Sequence, residues 1–129
     1  DSLDSFLEMV MNWKREYGKD AINFSLNILR FPSFQSPLVL DPDDKFTYMY
    51  QLQSWLNNNR DSEFLHEYEL NQLQRLIDYL DAVKTPHLGA AELDVLQQDF
   101  KQFYTQYDQR RNKNFVATFP RLKDWYNAL

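Results

Sequence analysis

Glu63 and His66 form an E-x-x-H pair, a spacing that places a carboxylate and an imidazole on one face of a helix. Di-iron carboxylate bundles use two such pairs together with two further glutamates. This chain has one pair, and its other histidine, His87, follows Pro86 in a predicted loop. The zinc-protease motif is also incomplete, because Leu70 stands where the second histidine would be. We therefore interpret the pair as part of an ordinary surface helix and predict no metal site.

Three carboxylates, from Glu63, Glu67 and Glu69, lie close together in the sequence and could form an acid–base set. General acid–base catalysis needs carboxylates whose surroundings separate their pKa values within a cleft. Nothing in their spacing predicts a cleft, and acidic residues stabilise the first turns of a helix through its dipole. We therefore expect a solvated helix face and assign no catalytic residue.

A basic cluster, Arg110, Arg111 and Lys113, follows two tyrosines, Tyr104 and Tyr107, on the same predicted helix. Cations beside aromatic rings could form a nucleic-acid patch. The whole chain, however, has a net charge of −5, which repels phosphate backbones. Cations at the carboxyl end of a helix also complement its dipole. We prefer that second interpretation and do not expect nucleic-acid binding.

Composition excludes several classes of chemistry. The 129 residues include no Cys, so this chain has no disulfide, thiolate metal site or cysteine nucleophile. With only two glycines, Gly18 and Gly89, it has no glycine-rich phosphate-binding loop. No apolar run approaches the length of a membrane span, and no signal peptide is visible. We expect a cytoplasmic protein with no cofactor in this chain, and its start at Asp1 is compatible with a processed, trimmed or fragmentary chain.

Apolar residues at spacings of three and four predict four long helices. They run from Leu3 to Gly18, from Pro42 to about Asn57–Asn59, from Asp61 or Ser62 to Val83 and from about Ala90 to Arg111. Asp1 or Ser2 could cap the first, Thr85–Pro86 breaks the third, and a final turn or two follows Pro120.

One segment, Ile22–Phe31, alternates apolar and polar residues as a half-buried strand does. A lone strand leaves backbone groups unpaired, so it needs a partner. Candidates are Val116–Phe119, Leu38–Leu40, a second copy of the chain, or a missing part of a larger protein. We predict a mainly α protein of four to five helices with one to three short β-strands. It forms a single helical domain over 1–129, or a fragment of a larger α/β protein.

The order helix, strand, loop, helix is that of one unit of a parallel α/β sheet. Chemistry in such folds lies at the carboxyl ends of the strands. Asn27, Arg30, Ser33 and Gln35 are the polar residues at that end of the predicted strand.

The segment NFSLNILRFPSFQSPLVL, Asn23–Leu40, resembles the late part of twitch-domain-containing radical SAM proteins of marine bacteria and phages. Further segments similar to that family are Trp13–Asp20, Arg75–Leu80, Phe103–Arg111 and Asp124–Asn127. The resemblance implies an absent N-terminal region whose cysteines hold the [4Fe–4S] cluster that cleaves S-adenosylmethionine. That motif is missing here, so the family's activity is not carried over. In a complete protein of this family, Arg30 or its neighbours would face the cofactor or substrate.

These observations leave three hypotheses, none of which gives the isolated chain catalysis of its own. The first is the C-terminal region of a radical SAM-like enzyme. The second is a small helical interaction or structural protein that self-associates, as a homodimer, through the strand or an aromatic face. The third is a nucleic-acid accessory protein that uses Arg110–Lys113.

Overall fold

The computed structural model describes residues 3–83 and 89–129, and it places six α-helices in them. They are α1 (Leu3–Tyr17), α2 (Pro42–Asn59), α3 (Glu67–Val83), α4 (Ala90–Arg111), α5 (Phe115–Thr118) and α6 (Lys123–Ala128). Three 3-10 turns complete the regular structure, at Ser33–Gln35, Pro37–Val39 and Pro120–Leu122. The described residues contain no strand, so the predicted four to five helices with one to three strands are wrong.

Contacts divide the chain into two compact units. The α1–α3 unit comprises the described residues 3–28 and 40–83, and the α4–α6 unit comprises 29–39 and 89–129. Whether both belong to one domain, as the sequence predicts, stays a prediction. The predicted helix break at Thr85–Pro86, the loop residue His87 and the caps Asp1 and Ser2 lie outside the described residues. None of the described helices is long and apolar enough to cross a membrane.

The core of the α1–α3 unit is aliphatic where its helices meet. α2 packs against both α1 and α3, and each helix contributes side chains that are at most 1% exposed, such as Leu7, Leu52 and Leu73. α1 ends where predicted, because Gly18 adopts a φ of +103°, which a residue with a Cβ atom rarely adopts. Pro42 occupies the first turn of α2, where its missing N–H has no helical partner to lose.

An ion pair without solvent access joins α1 to α3. The Lys14 ammonium lies 2.8 Å from the Glu69 carboxylate, and both side chains have no exposed surface. Lys14 also donates to the Lys19 carbonyl, at 3.1 Å, and to the Asn23 side-chain oxygen, at 3.3 Å. A buried ammonium is tolerated only when it is paired and its protons are hydrogen-bonded, and these three acceptors meet that need.

Both oxygens of the Glu69 carboxylate likewise accept hydrogen bonds. One of its oxygens accepts the His66 N–H at 3.1 Å, so this third residue of α3 reaches back to cap the helix. The other oxygen accepts the Phe24 N–H at 3.2 Å. The carboxylate therefore holds three parts of the α1–α3 unit together: α1, the start of α3 and the segment after α1.

The predicted strand Ile22–Phe31 has no regular secondary structure. Side chains of α3 take the place of a partner strand: besides the Glu69 bond, Gln72 accepts the Leu26 N–H at 3.2 Å. Arg75 donates to the Leu26 carbonyl at 2.7 Å. These three residues are spaced by three along α3. Their side chains form hydrogen bonds with the backbone of Phe24 and Leu26, which are alternate positions of the segment. The alternating sequence pattern thus corresponds to alternating burial without a sheet.

The two segments proposed as strand partners are helical. Leu38–Leu40 lies at a 3-10 turn, and Val116–Phe119 overlaps α5. The side-chain oxygen of Asn114 accepts the Ala117 N–H at 3.0 Å, so Asn114 caps this short helix.

The core of the α4–α6 unit is aromatic. Phe100, on α4, is 7% exposed and lies at its centre. Its ring contacts those of Tyr104, Phe115, Trp125 and Tyr126, at centroid distances of 4.6–6.4 Å. Lys101 also links α4 to α6, because its ammonium donates to the Tyr126 carbonyl at 2.8 Å and lies 3.7 Å above the Tyr126 ring. Short α5 and α6 are thereby held by side-chain packing against α4.

Candidate binding site

The carboxylates and histidine singled out from the sequence do not converge. Glu63 precedes α3 and is exposed, Glu67 is exposed in its first turn, and Glu69 is buried in the ion pair with Lys14. The predicted solvated helix face is therefore wrong for Glu63, which is not helical, and for Glu69, which is not solvated. The His66 imidazole instead faces Asp20, with 2.8 Å between Nε2 and a carboxylate oxygen. Within residues 3–83 and 89–129, no three His, Asp or Glu side chains are grouped as metal ligands.

Arg30 is exposed and lies in irregular chain before the first 3-10 turn. The strand-end argument that singled it out no longer applies, because the segment forms no strand. Asn27 and Ser33 are also exposed, whereas Gln35 is half-buried and lines a recess described below. A cofactor-facing role of Arg30 stays a prediction that depends on the family resemblance.

The structure does bring basic and aromatic residues together at the carboxyl end of α4. Phe103, Tyr107, Arg110 and Arg111 follow one another at helical spacing and line a shallow recess of about 200 Å³. The rings of Phe103 and Tyr107 are nearly parallel, with 19° between their planes and 6.2 Å between their centroids. They are 38% and 42% exposed, so solvent reaches both.

A larger open recess of about 510 Å³ adjoins the same two rings. Its aromatic wall consists of Phe103, Tyr104, Tyr107, Phe115 and Phe119. Its polar groups come from Gln35, Asp108, Lys113 and Thr118. Mostly apolar walls with a few polar groups, at this volume, are typical of ligand sites. We call the two recesses together the α4–α5 groove.

A sharp corner after α4 shapes the groove. Asn112 adopts the left-handed conformation, with φ of 51°, and the Asp108 carbonyl accepts the Asn112 and Lys113 N–H groups. The Asp108 carboxylate accepts the Phe115 N–H at 2.8 Å. Asp108 therefore fixes both sides of the corner. Lys113 is left exposed at the groove, while the Phe115 ring is buried in the core.

The charge of this part of the chain is opposite to that of the remainder. Residues 101–129 hold six Lys and Arg against two Asp, whereas residues 1–100 hold eight against 17 Asp and Glu. Arg110, Arg111 and Lys113 are exposed, and their charged groups have no hydrogen-bond or ion-pair partner among the residues that the structure describes. Burial, with a smaller contribution from Tyr107, raises the pKa of Tyr104, so its phenol stays neutral at physiological pH. The groove is therefore aromatic and cationic.

Sequence reasoning identified the cations and tyrosines of this groove but missed three phenylalanines. They are Phe103, Phe115 and Phe119, of which Phe119 ends the predicted strand segment Val116–Phe119. The i, i+4, i+8 series of Phe103, Tyr107 and Arg111 could have revealed the mixed face, since such residues share one side of a helix.

A third recess, of about 280 Å³, lies between α2 and α3 in the other unit. It is lined by Met49, Tyr50, Gln53, Gln74, Ile77, Asp78 and Asp81. Its two carboxylates and its lack of cations give it the opposite charge. It therefore offers matched control positions for experiments on the α4–α5 groove.

No family model, no curated protein and no solved structure matches this chain. The geometry and charge of its own residues are therefore the basis for assigning a function.

Proposed function

We propose that this chain is a non-catalytic interaction module whose binding surface is the α4–α5 groove. The observation that carries the proposal is the set of solvent-accessible rings of Phe103, Tyr107 and Phe119 beside three exposed cations that have no ion-pair partner within residues 3–83 and 89–129. Large exposed apolar surfaces rimmed by charge mark interaction sites more often than they mark ordinary surface. The expected ligand is a molecule that combines flat aromatic groups with negative charge.

The polar groups of the groove support binding over catalysis. Asp108 is the carboxylate among the described lining residues, and its side chain already accepts the Phe115 N–H. General acid–base catalysis would need a titratable group within hydrogen-bond reach of a bound substrate. Asp108 instead positions the corner of the groove, and the cations supply fixed charge.

The dye 1-anilinonaphthalene-8-sulfonate tests this proposal, because it joins aromatic rings to one negative charge. We expect saturable binding with enhanced fluorescence. Tyr107→Ala removes one exposed ring, and an aromatic contact is worth about 0.5–1.5 kcal/mol. The dissociation constant should therefore rise about 2- to 12-fold, as measured by fluorescence titration.

Tyr50→Ala is the matched control, since Tyr50 is also an exposed tyrosine on a helix but lines the acidic α2–α3 recess. Its dissociation constant should equal that of the wild type. Equal affinities of the Tyr107→Ala and Tyr50→Ala proteins, or no saturable binding at all, would contradict the proposal. Far-ultraviolet circular dichroism should be the same for all three proteins, which shows that the dye is not reporting unfolding.

A further inference from the structure

The inference that follows rests on the proposed function and names the ligand class of the same groove. We infer that the α4–α5 groove binds single-stranded nucleic acid, with bases stacked on Phe103 and Tyr107 and phosphates bound by Arg110, Arg111 and Lys113.

Two exposed rings on α4 are placed where bases could stack. Phe103 and Tyr107 lie one turn apart on α4, nearly parallel and accessible to solvent. Proteins that bind single strands present aromatic side chains on which successive bases stack, and every base has a face that can do so. Two neighbouring platforms of similar orientation fit two bases of one strand.

Three cations lie beside these rings. Arg110 and Arg111 continue the helix face that carries the two rings, and Lys113 lies beyond the corner at the second recess. Dipole compensation explains why cations stand at the end of α4, but it does not explain why exposed rings adjoin them. A cationic track beside stacking rings is the combination that follows a sugar–phosphate backbone.

A single strand fits this groove better than other anionic partners do. In a duplex, the base faces are stacked on one another and cannot reach Phe103 or Tyr107. An acidic peptide would pair with Arg110, Arg111 and Lys113 but would offer few flat groups to the rings.

The whole-chain charge of −5 was the reason for not expecting nucleic acid. That expectation stays untested. The whole-chain net charge averages over two regions of the sequence that have opposite charge. The local charge at the groove is the relevant quantity for a polymer that contacts only this surface.

The test is fluorescence anisotropy with a labelled single-stranded oligothymidylate of about 10 nucleotides, within the usual site size for such proteins. Three phosphate contacts predict that log K falls with log salt concentration at a slope of about −2. Arg110→Ala with Arg111→Ala removes two contacts and should bring the slope to about −0.7.

Tyr107→Ala should weaken binding about 5- to 150-fold, and Tyr107→Trp should restore it, because tryptophan keeps a stacking ring.

Arg15→Ala with Arg60→Ala is the charge-matched control, because both are exposed arginines of the α1–α3 unit. It should leave both affinity and slope unchanged. Equal effects of the two double variants, equal affinity for a duplex of the same length, or no binding at low salt would overturn the inference. If the protein bound the dye, and Tyr107→Ala weakened that binding, but the protein did not bind the oligonucleotide, only this inference would be overturned. If the wild-type protein bound neither the dye nor the oligonucleotide, the proposed function would be overturned as well.

Discussion

We expect Glu69→Ala to lower the free energy of unfolding by about 3–5 kcal/mol, the usual cost of removing one partner of a buried ion pair. The Lys14 ammonium would remain without solvent access and without its counter-charge. The N–H groups of His66 and Phe24 would also lose their acceptor. Urea denaturation followed by circular dichroism measures the change.

Glu67→Ala is the matched control, because Glu67 lies in the same first turn of α3 but is exposed. It should change the free energy of unfolding by no more than about 0.5 kcal/mol. Replacing both partners, Lys14→Met with Glu69→Leu, should recover part of the loss, since apolar residues of similar volume often substitute for a buried pair. Losses of the same size for Glu69→Ala and Glu67→Ala would show that the pair does not hold α1 to α3.

Phe100→Ala should destabilise the α4–α6 unit by about 3–5 kcal/mol, the range observed when a buried phenylalanine is truncated in other proteins. Four aromatic rings surround Phe100, and α5 and α6 are too short to be stable without that packing. Thermal unfolding monitored by near-ultraviolet circular dichroism follows these rings directly.

Val95→Ala provides the comparison, since Val95 lies on α4 but is 58% exposed. Its effect should stay within about 0.5 kcal/mol. A loss of less than about 1 kcal/mol for Phe100→Ala would mean that the aromatic cluster does not organise this unit. Because the groove is built on the same cluster, Phe100→Ala should also weaken binding of the dye.

The long helices could be predicted because local signals determine them. α4 has the predicted bounds, Ala90–Arg111, and α1 ends next to Gly18 as expected. Pro42 likewise begins α2. Propensity, capping residues and apolar periodicity act over a few residues, so the sequence displays them directly.

The segment Ile22–Phe31 could not be predicted in this way. Alternation of apolar and polar residues reports which side chains are buried but not which groups pair with the backbone. The partners here are Glu69, Gln72 and Arg75, more than 40 residues later in the chain. The same long-range contacts bury Glu69, although an acidic residue in a first helical turn is usually solvated.

The candidate site was predicted in part. Its cations and tyrosines were found by residue type, but the corner at Asn112 that sets Lys113 beside the aromatic wall depends on hydrogen bonds to Asp108. The resemblance to radical SAM proteins, self-association as a homodimer and a cytoplasmic location stay predictions. An upstream reading frame with three closely spaced cysteines would support the resemblance, and a start codon at or just before Asp1 would contradict it.

Amide chemical-shift mapping tests the central claim, that the α4–α5 groove is the binding surface, most directly. ¹⁵N-labelled protein is titrated with 1-anilinonaphthalene-8-sulfonate, and the shift of each assigned amide is followed to saturation. We predict the largest shifts between Phe103 and Phe119, with little change around Tyr50 and Asp78 in the α2–α3 recess. Shifts centred on that recess, or spread evenly over the chain, would contradict the account.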